Sequence, residues 1–149
     1  MAAPSLDALR ATVSDLIALT ASQSPKDLSD APRGEWNTAQ VAAHMADAEM
    51  VYSVRIRMML TDENPMLAGY DEEAWADRLA MCDLNVAGSV ERFRILRDAN
   101  LRLLESLEPP EWERTGTHVV DGKMSIADIA EKLVRHDRDH LDQIRRLLP

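Results

Sequence analysis

Apolar residues return with a period near 3.6 along four stretches of the chain, separated by polar or breaker-rich segments. The first stretch predicts a helix from about Ser5 to Ala21, with Ser5 as its N-cap and Leu6, Leu9, Val13, Leu16, Ile17 and Thr20 on one face. Residues 22–35 contain Pro25, Pro32 and Gly34 and read as a loop. A second helix begins near Asn37, which stands three residues before Gln40 in the spacing of a capping box. Its inward stripe is Val41, His44 or Met45, Ala48, Tyr52, Ile56 and Met59, and it ends near Leu60 before an Asp-Glu-Asn-Pro breaker. A longer connection, from Thr61 to about Met81, holds a short helix over 71–80 that carries Trp75 and Leu79. The third long helix runs from about Asp83 to Leu107, with Val86, Val90, Phe93, Leu96 or Arg97, Leu101 and Leu104 inward, and Pro109-Pro110 ends it. Residues 111–124 read as a loop with Trp112, His118 and a turn at Asp121-Gly122. Ser125 and Asp128 open the last helix in capping-box spacing; its stripe is Ile126, Ile129, Leu133, His136, His140, Ile144 and Leu148.

These elements predict an all-α fold: a four-helix bundle with a long crossover between helices 2 and 3 that carries a short extra helix. At 149 residues the expectation is a single domain over 1–149. Few aromatic residues and five glycines fit helices better than a β-sandwich.

Net charge is −9, a balance that repels nucleic-acid phosphates and anionic membranes. No apolar run is long enough to span a bilayer. The first residues show neither the basic nor the apolar region of a secretory signal. Cys82, the one cysteine, has no partner for an intramolecular disulfide and suits a reducing cytoplasm. Residues 62–83 hold seven acids against one arginine and read as an exposed connection.

The chemistry sits on the inward stripes. His136 and His140, an i, i+4 pair, differ by about 40° in direction and about 6 Å in rise, so both can reach one ion. His44, one turn after Val41, points inward from an independent helix. A buried histidine is usually just a hydrogen-bonded core residue; three on converging stripes point to a metal site. Three protein ligands leave positions open for water or substrate, as catalytic sites do. The spacing is not His-Glu-x-x-His, so the general-base glutamate of that motif is missing. Asp47, Asp137 and Asp139 are candidates to support the histidine rings. Arg55 falls within about 20° of the direction of His44 and reads as an ion-pair partner of Glu91 or Glu49, with anionic substrate as the alternative. Tyr52 lines the pocket or packs. His118 reads as a surface or loop-packing residue, Cys82 as inert, and Trp36, Trp75 and Trp112 as packing anchors.

Trp36-Asn37-Thr38 followed by Val41 to Glu49 resembles the first signature of the DinB/YfiT-like metal-binding bundle proteins, which are unrelated to the DNA polymerase sharing that name. Trp112 to His118, Gly122, Ser125-Ile126 and His136 to Ile144 resemble the second. The resemblance covers nearly the whole chain. It departs at Asn37, where Ser or Thr is commoner, and at Asp142. It implies a four-helix bundle, often a homodimer, in which His44, His136 and His140 hold one divalent ion (zinc, nickel, iron or manganese). It also implies a metal-dependent enzyme acting on a small-molecule substrate, with thiol S-transfer from a low-molecular-weight thiol leading. A metal-dependent hydrolase and a non-catalytic metal-binding stress-response protein are the alternatives. Hydrolysis usually wants a carboxylate base, and none occupies a signature position, which favours thiol chemistry. No residue is assigned a catalytic role beyond metal binding.

Overall fold

The computed structural model describes residues 5–79 and 85–149. Four long helices carry the fold: α1 (Asp7–Thr20), α3 (Thr38–Thr61), α5 (Val86–Glu105) and α6 (Ile126–Leu147). Between them lie α2 (Pro25–Ser29), β1 (Met66–Leu67), α4 (Glu72–Arg78), a 3₁₀ turn (Glu111–Glu113), β2 (Thr115–His118) and β3 (Gly122–Ser125). The starts of α3 and α6 are the expected ones, because both capping boxes form. Asn37 accepts from Gln40 N–H while Gln40 accepts from Asn37 N–H. Ser125 and Asp128 do the same at α6. Each box satisfies two backbone donors that the first helical turn leaves unpaired.

Two apolar clusters fill the bundle. One gathers Leu9, Ile56, Met59, Leu101, Leu104, Ile129 and Leu133; the other gathers Leu16, Val41, Met45, Val90, Phe93, Leu141 and Ile144. Their order along each helix gives the chain direction. α1 and α6 run from the first cluster to the second, while α3 and α5 run from the second to the first. α3 packs against α5 in the same sense, so the chain must return the length of the bundle between them. The segment holding β1 and α4 makes this crossover, and α4 is the short helix the sequence predicts. α1 and α3 each pack against α5 and α6, which puts α1 and α3 on one diagonal.

Several expectations are corrected. α1 starts at Asp7 with Leu6 as N-cap; Ser5 stands one residue earlier, although its hydroxyl still accepts from Asp7 N–H. Ile17 is 40% exposed, and Thr12 is buried instead, because its hydroxyl reaches Asp137 across the bundle. Residues 22–35 contain α2, closed by a Ser24–Asp27 capping box. The start of α5 expected at Asp83 lies outside the described residues; Asn85 caps Gly88 N–H. Of the pair left open in α5, Arg97 is the buried residue.

The largest departure is a small sheet where loops were expected. β2 and β3 form an antiparallel hairpin, Thr115 opposite Ser125 and His118 opposite Gly122, with Gly122 at φ +75° in the turn. β1 adds in parallel, Met66 opposite Thr117 and Leu67 opposite His118. This ties the crossover to the connection before α6. The acidic connection is therefore only partly solvated: Leu67 and Ala76 are buried.

Candidate metal centre

His44 projects from the second turn of α3, and His136 and His140 from successive turns of α6, across the interface where these helices pack. One ligand nitrogen from each lies within 4.8 Å of the other two. His44 Nε2 and His136 Nε2 face each other at 3.0 Å. Nitrogens that share one ion at roughly 2.0–2.1 Å each can be no more than about 4.2 Å apart, and this pair lies well inside that limit. Two ring nitrogens face to face also need a proton or a cation between them, since two lone pairs would repel. His140 Nδ1–H donates to Gln143 Oε1 at 2.9 Å, which fixes the ring and leaves Nε2 with a free lone pair.

The site disfavours the charged form of two of its imidazoles, His44 and His140, and a neutral ring is the form that can bind a metal. Burial, helped by His140 and His136, pushes His44 down to about 3. Burial and His136 also lower His140, against the bond to Gln143. Trp36 forms one wall, with its ring centroid 5.1 Å from that of His44 and stacked at 6.5 Å over His140. It is the packing anchor the sequence predicts, and what it packs on are the rings of His44 and His140.

A buried ionic layer backs the histidines. Arg97 donates to Glu49 through Nε at 3.0 Å and Nη2 at 2.8 Å, and to Asp137 through Nη1 at 2.7 Å. Asn100 adds a bond to Glu49, and Thr12 one to Asp137. On α1, α5 and α6 the polar residue (Thr12, Arg97, Asp137) lies between the positions that enter the two apolar clusters, and on α3 Glu49 follows Ala48, the first residue to enter the first cluster, so the layer lies close to the boundary that divides the core. Burial alone would raise Asp137; the adjoining His136 ring and Arg97 outweigh it and hold the carboxyl low. Asp137 Oδ1 lies 3.7 Å from His136 Nδ1, a buried nitrogen with no hydrogen-bond partner. That orphaned N–H site beside a carboxylate is the support a ligating histidine uses. Of the three acids the sequence offers as supports, Asp137 is the one beside a ring of the triad, at 3.7 Å and without a hydrogen bond to it. Asp47 instead pairs with Arg92 at 3.0 Å, and burial raises its carboxyl, partly offset by Arg92. Asp139 is exposed against Arg138.

Arg55 is inward as predicted, but its partners are not the predicted acids. Glu49 is taken by Arg97, and Glu91 by Arg94 on the surface. Arg55 Nη2 donates to Ala68 O at 2.6 Å and to His118 Nε2 at 3.1 Å, with the Tyr52 ring 5.2 Å from the guanidinium carbon. His118 is a buried strand residue, brought to Arg55 by the sheet, and not part of the triad. Trp112 is a core residue and Trp75 packs on Tyr70. Cys82 lies outside the described residues. Sequence reasoning missed Gln143 and the pairing of Arg97. The signal for Gln143 was its i+3 spacing from His140, whereas nothing local announces which acid meets Arg97.

The DinB superfamily matches residues 8–144. An Oceanobacillus iheyensis protein named "Putative metal-dependent hydrolase" is 33% identical over 114 residues, 76% of this chain and 66% of that protein. A Bacillus mycoides protein of the same name is 32% identical over 76% of this chain and 65% of its own length. The match thus spans just under two thirds of these relatives. YfiT from Bacillus subtilis, described as a probable metal-dependent hydrolase with an unusual four-helix bundle topology, shares the fold. It superposes with a TM-score of 0.89 at 24% identity, covering 95% of this chain and 82% of that one. With the bundle, the crossover and the match over nearly its full length, the chain belongs to the DinB superfamily.

Proposed function

We propose that this chain is a metal-dependent enzyme in which His44, His136 and His140 hold one divalent ion, and that it hydrolyses a small electrophilic substrate. The observation that carries the reading is the convergence of three imidazole nitrogens within 4.8 Å at a partly buried helix interface. When bound, the ion supplies Lewis-acid activation, lowering the pKa of a ligand in its open positions toward neutrality. The chain's residues hold that arrangement: burial keeps His44 and His140 unprotonated, Gln143 orients His140, and Asp137 stands behind His136. The hydrolase names of the relatives support hydrolysis as the reaction.

One observation favours a second reading, transfer of a low-molecular-weight thiol to the electrophile. Three inward acids on the histidine-bearing helices are committed to arginines, Asp137 and Glu49 to Arg97 and Asp47 to Arg92. None of these three is free to act as general base, and a thiol, more acidic than water, needs that help least. The experiment is elemental analysis of protein purified without a histidine tag, then assays of zinc-, nickel-, manganese- and iron-loaded protein. Activated esters and amides are offered without thiol, and electrophiles with thiol, with His140→Ala as control. About one ion per chain and thiol-independent, ion-dependent turnover is the expected result. Turnover only with thiol selects the second reading. Failure to retain any ion sinks both.

A further inference from the structure

The chain buries two arginines and treats them oppositely. Arg97 is matched by two carboxylates. Arg55 is 6% exposed, yet its two hydrogen bonds both come from Nη2, one to the Ala68 carbonyl and one to His118. Its Nε is buried with no partner. Among the described residues no carboxylate lies within ion-pair distance of it. The nearest acid along this chain of contacts, Asp121, reaches only the far side of His118, at 3.2 Å from Nδ1, and is also bonded by Lys132. Glu72 acts on Tyr52 and Tyr70 at longer range. Buried charges are normally paired, so an unmatched guanidinium in a folded chain marks a place where an anionic group is expected.

Beside Arg55 is a groove of about 330 Å³ whose other walls include Met50, Val54, Met58, Met66 and Trp75. Met50, Val54 and Met66 are also notably exposed for apolar side chains. A concave apolar surface with one placed polar group is the usual form of a small-molecule site. The planar guanidinium fork matches a carboxylate. The hydroxyl of Tyr70, whose ring lies tilted against Trp75 with centroids 4.6 Å apart, is a second buried polar atom without a partner.

We propose that Arg55 and this groove bind a small carboxylic acid with an apolar body, the carboxylate at the guanidinium and the body along the methionine and tryptophan wall. Arg55 lies three turns along α3 from His44, about 16 Å in rise, so the site is separate from the histidine cluster. Its occupation needs no metal ion.

The test uses octanoate and its uncharged isostere octanamide as probes, on metal-stripped and zinc-loaded protein, read by titration calorimetry and by tryptophan fluorescence with Trp75→Phe as control. Octanoate is expected to bind both forms equally, and octanamide roughly tenfold or more weakly. Arg55→Met should erase the difference between the probes, and Arg55→Lys should keep part of it. The acid–amide comparison in the unaltered protein needs no variant to fold. Equal binding of acid and amide overturns the proposal, and so does octanoate binding that appears only with zinc, which would place the carboxylate on the ion. Inorganic phosphate competing as strongly as octanoate overturns the apolar half. A dimer by sedimentation that excludes octanoate gives the groove to a second copy and overturns the whole. Because binding is read without metal, its failure leaves the histidine assignment standing, and the reverse holds too.

Discussion

Replacing Arg97 by methionine removes the one cation of the layer that divides the core. Its five hydrogen bonds go to Glu49, Asp137 and the Leu9 carbonyl. The side chains of Arg97, Glu49 and Asp137 are 1%, 1% and 3% exposed, so water cannot replace what is lost. Glu49 would keep Asn100 and Asp137 would keep Thr12, but two buried negative charges would stand without a counter-charge. Breaking a buried pair by removing one partner costs roughly 3–5 kcal/mol. Against a domain stability of about 5–15 kcal/mol this is a large share. With a urea slope near 2 kcal/mol/M it lowers the midpoint by about 2 M. The pH dependence gives an independent sign. In the unaltered protein the Asp137 carboxyl is held below its unfolded value. Its stabilising contribution is therefore fully present above the unfolded pKa and is lost only as pH falls through the folded one. Without Arg97, burial pushes Asp137 up, and protonating it relieves the strain on the fold. The stability gap between the two proteins should therefore narrow from pH 7 to pH 5. Taking the difference cancels the histidine contribution common to both. Urea unfolding followed by far-UV circular dichroism at the two pH values measures it. A gap under about 1 kcal/mol at pH 7, or one that does not narrow, would refute the view of this layer as a dry, matched ionic cluster.

Three further outcomes follow from other parts of the structure. Gln143→Leu frees the His140 ring and should weaken zinc binding roughly 10–100-fold by calorimetry with the fold intact; unchanged affinity would remove Gln143 from the site. The metal-free protein should lose stability as pH falls below about 6.5, because the unfolded chain takes up protons that folded His44 and His140, both pushed low, refuse. Thermal melts at pH 7 and pH 5.5 measure it, and a flat profile would contradict the lowered values. Gly116→Ala would place a Cβ 2.9 Å from Leu67 Cδ1 and 3.0 Å from Met59 Cγ, so it should cost roughly 1–3 kcal/mol and lower the melting temperature; a neutral result would mean that the sheet shifts freely over α3.

The helices were legible because their signals are local. Asn37 with Gln40, and Ser125 with Asp128, announce helix starts within four residues, and apolar phase does the rest. The sheet was not legible because its strands are too short to show a period, two to four residues each, and one pairing, Met66 with Thr117, spans about a third of the chain. Only the Asp121-Gly122 turn was visible, and a turn without flanking alternation reads as loop. The same division runs through the site. Helical phase alone places His44, His136 and His140 together, since each only had to be inward. Phase also places Glu49, Arg55, Arg97 and Asp137 inward, but it does not choose among pairings. Glu49 was offered to Arg55, yet α3 carries both, and the acid faces α5, where Arg97 lies. Arg97 thereby takes Glu49 and Asp137 together, and Arg55 is left to the sheet, which meets it with a carbonyl and a neutral ring. The missing partner of Arg55 thus follows from how the bundle distributes its buried charge: two acids are spent on the layer behind the histidines, and the remaining buried cation stands beside an apolar groove. That pairing of one unmatched charge with one uncovered apolar surface is the form an amphiphilic acid would complete.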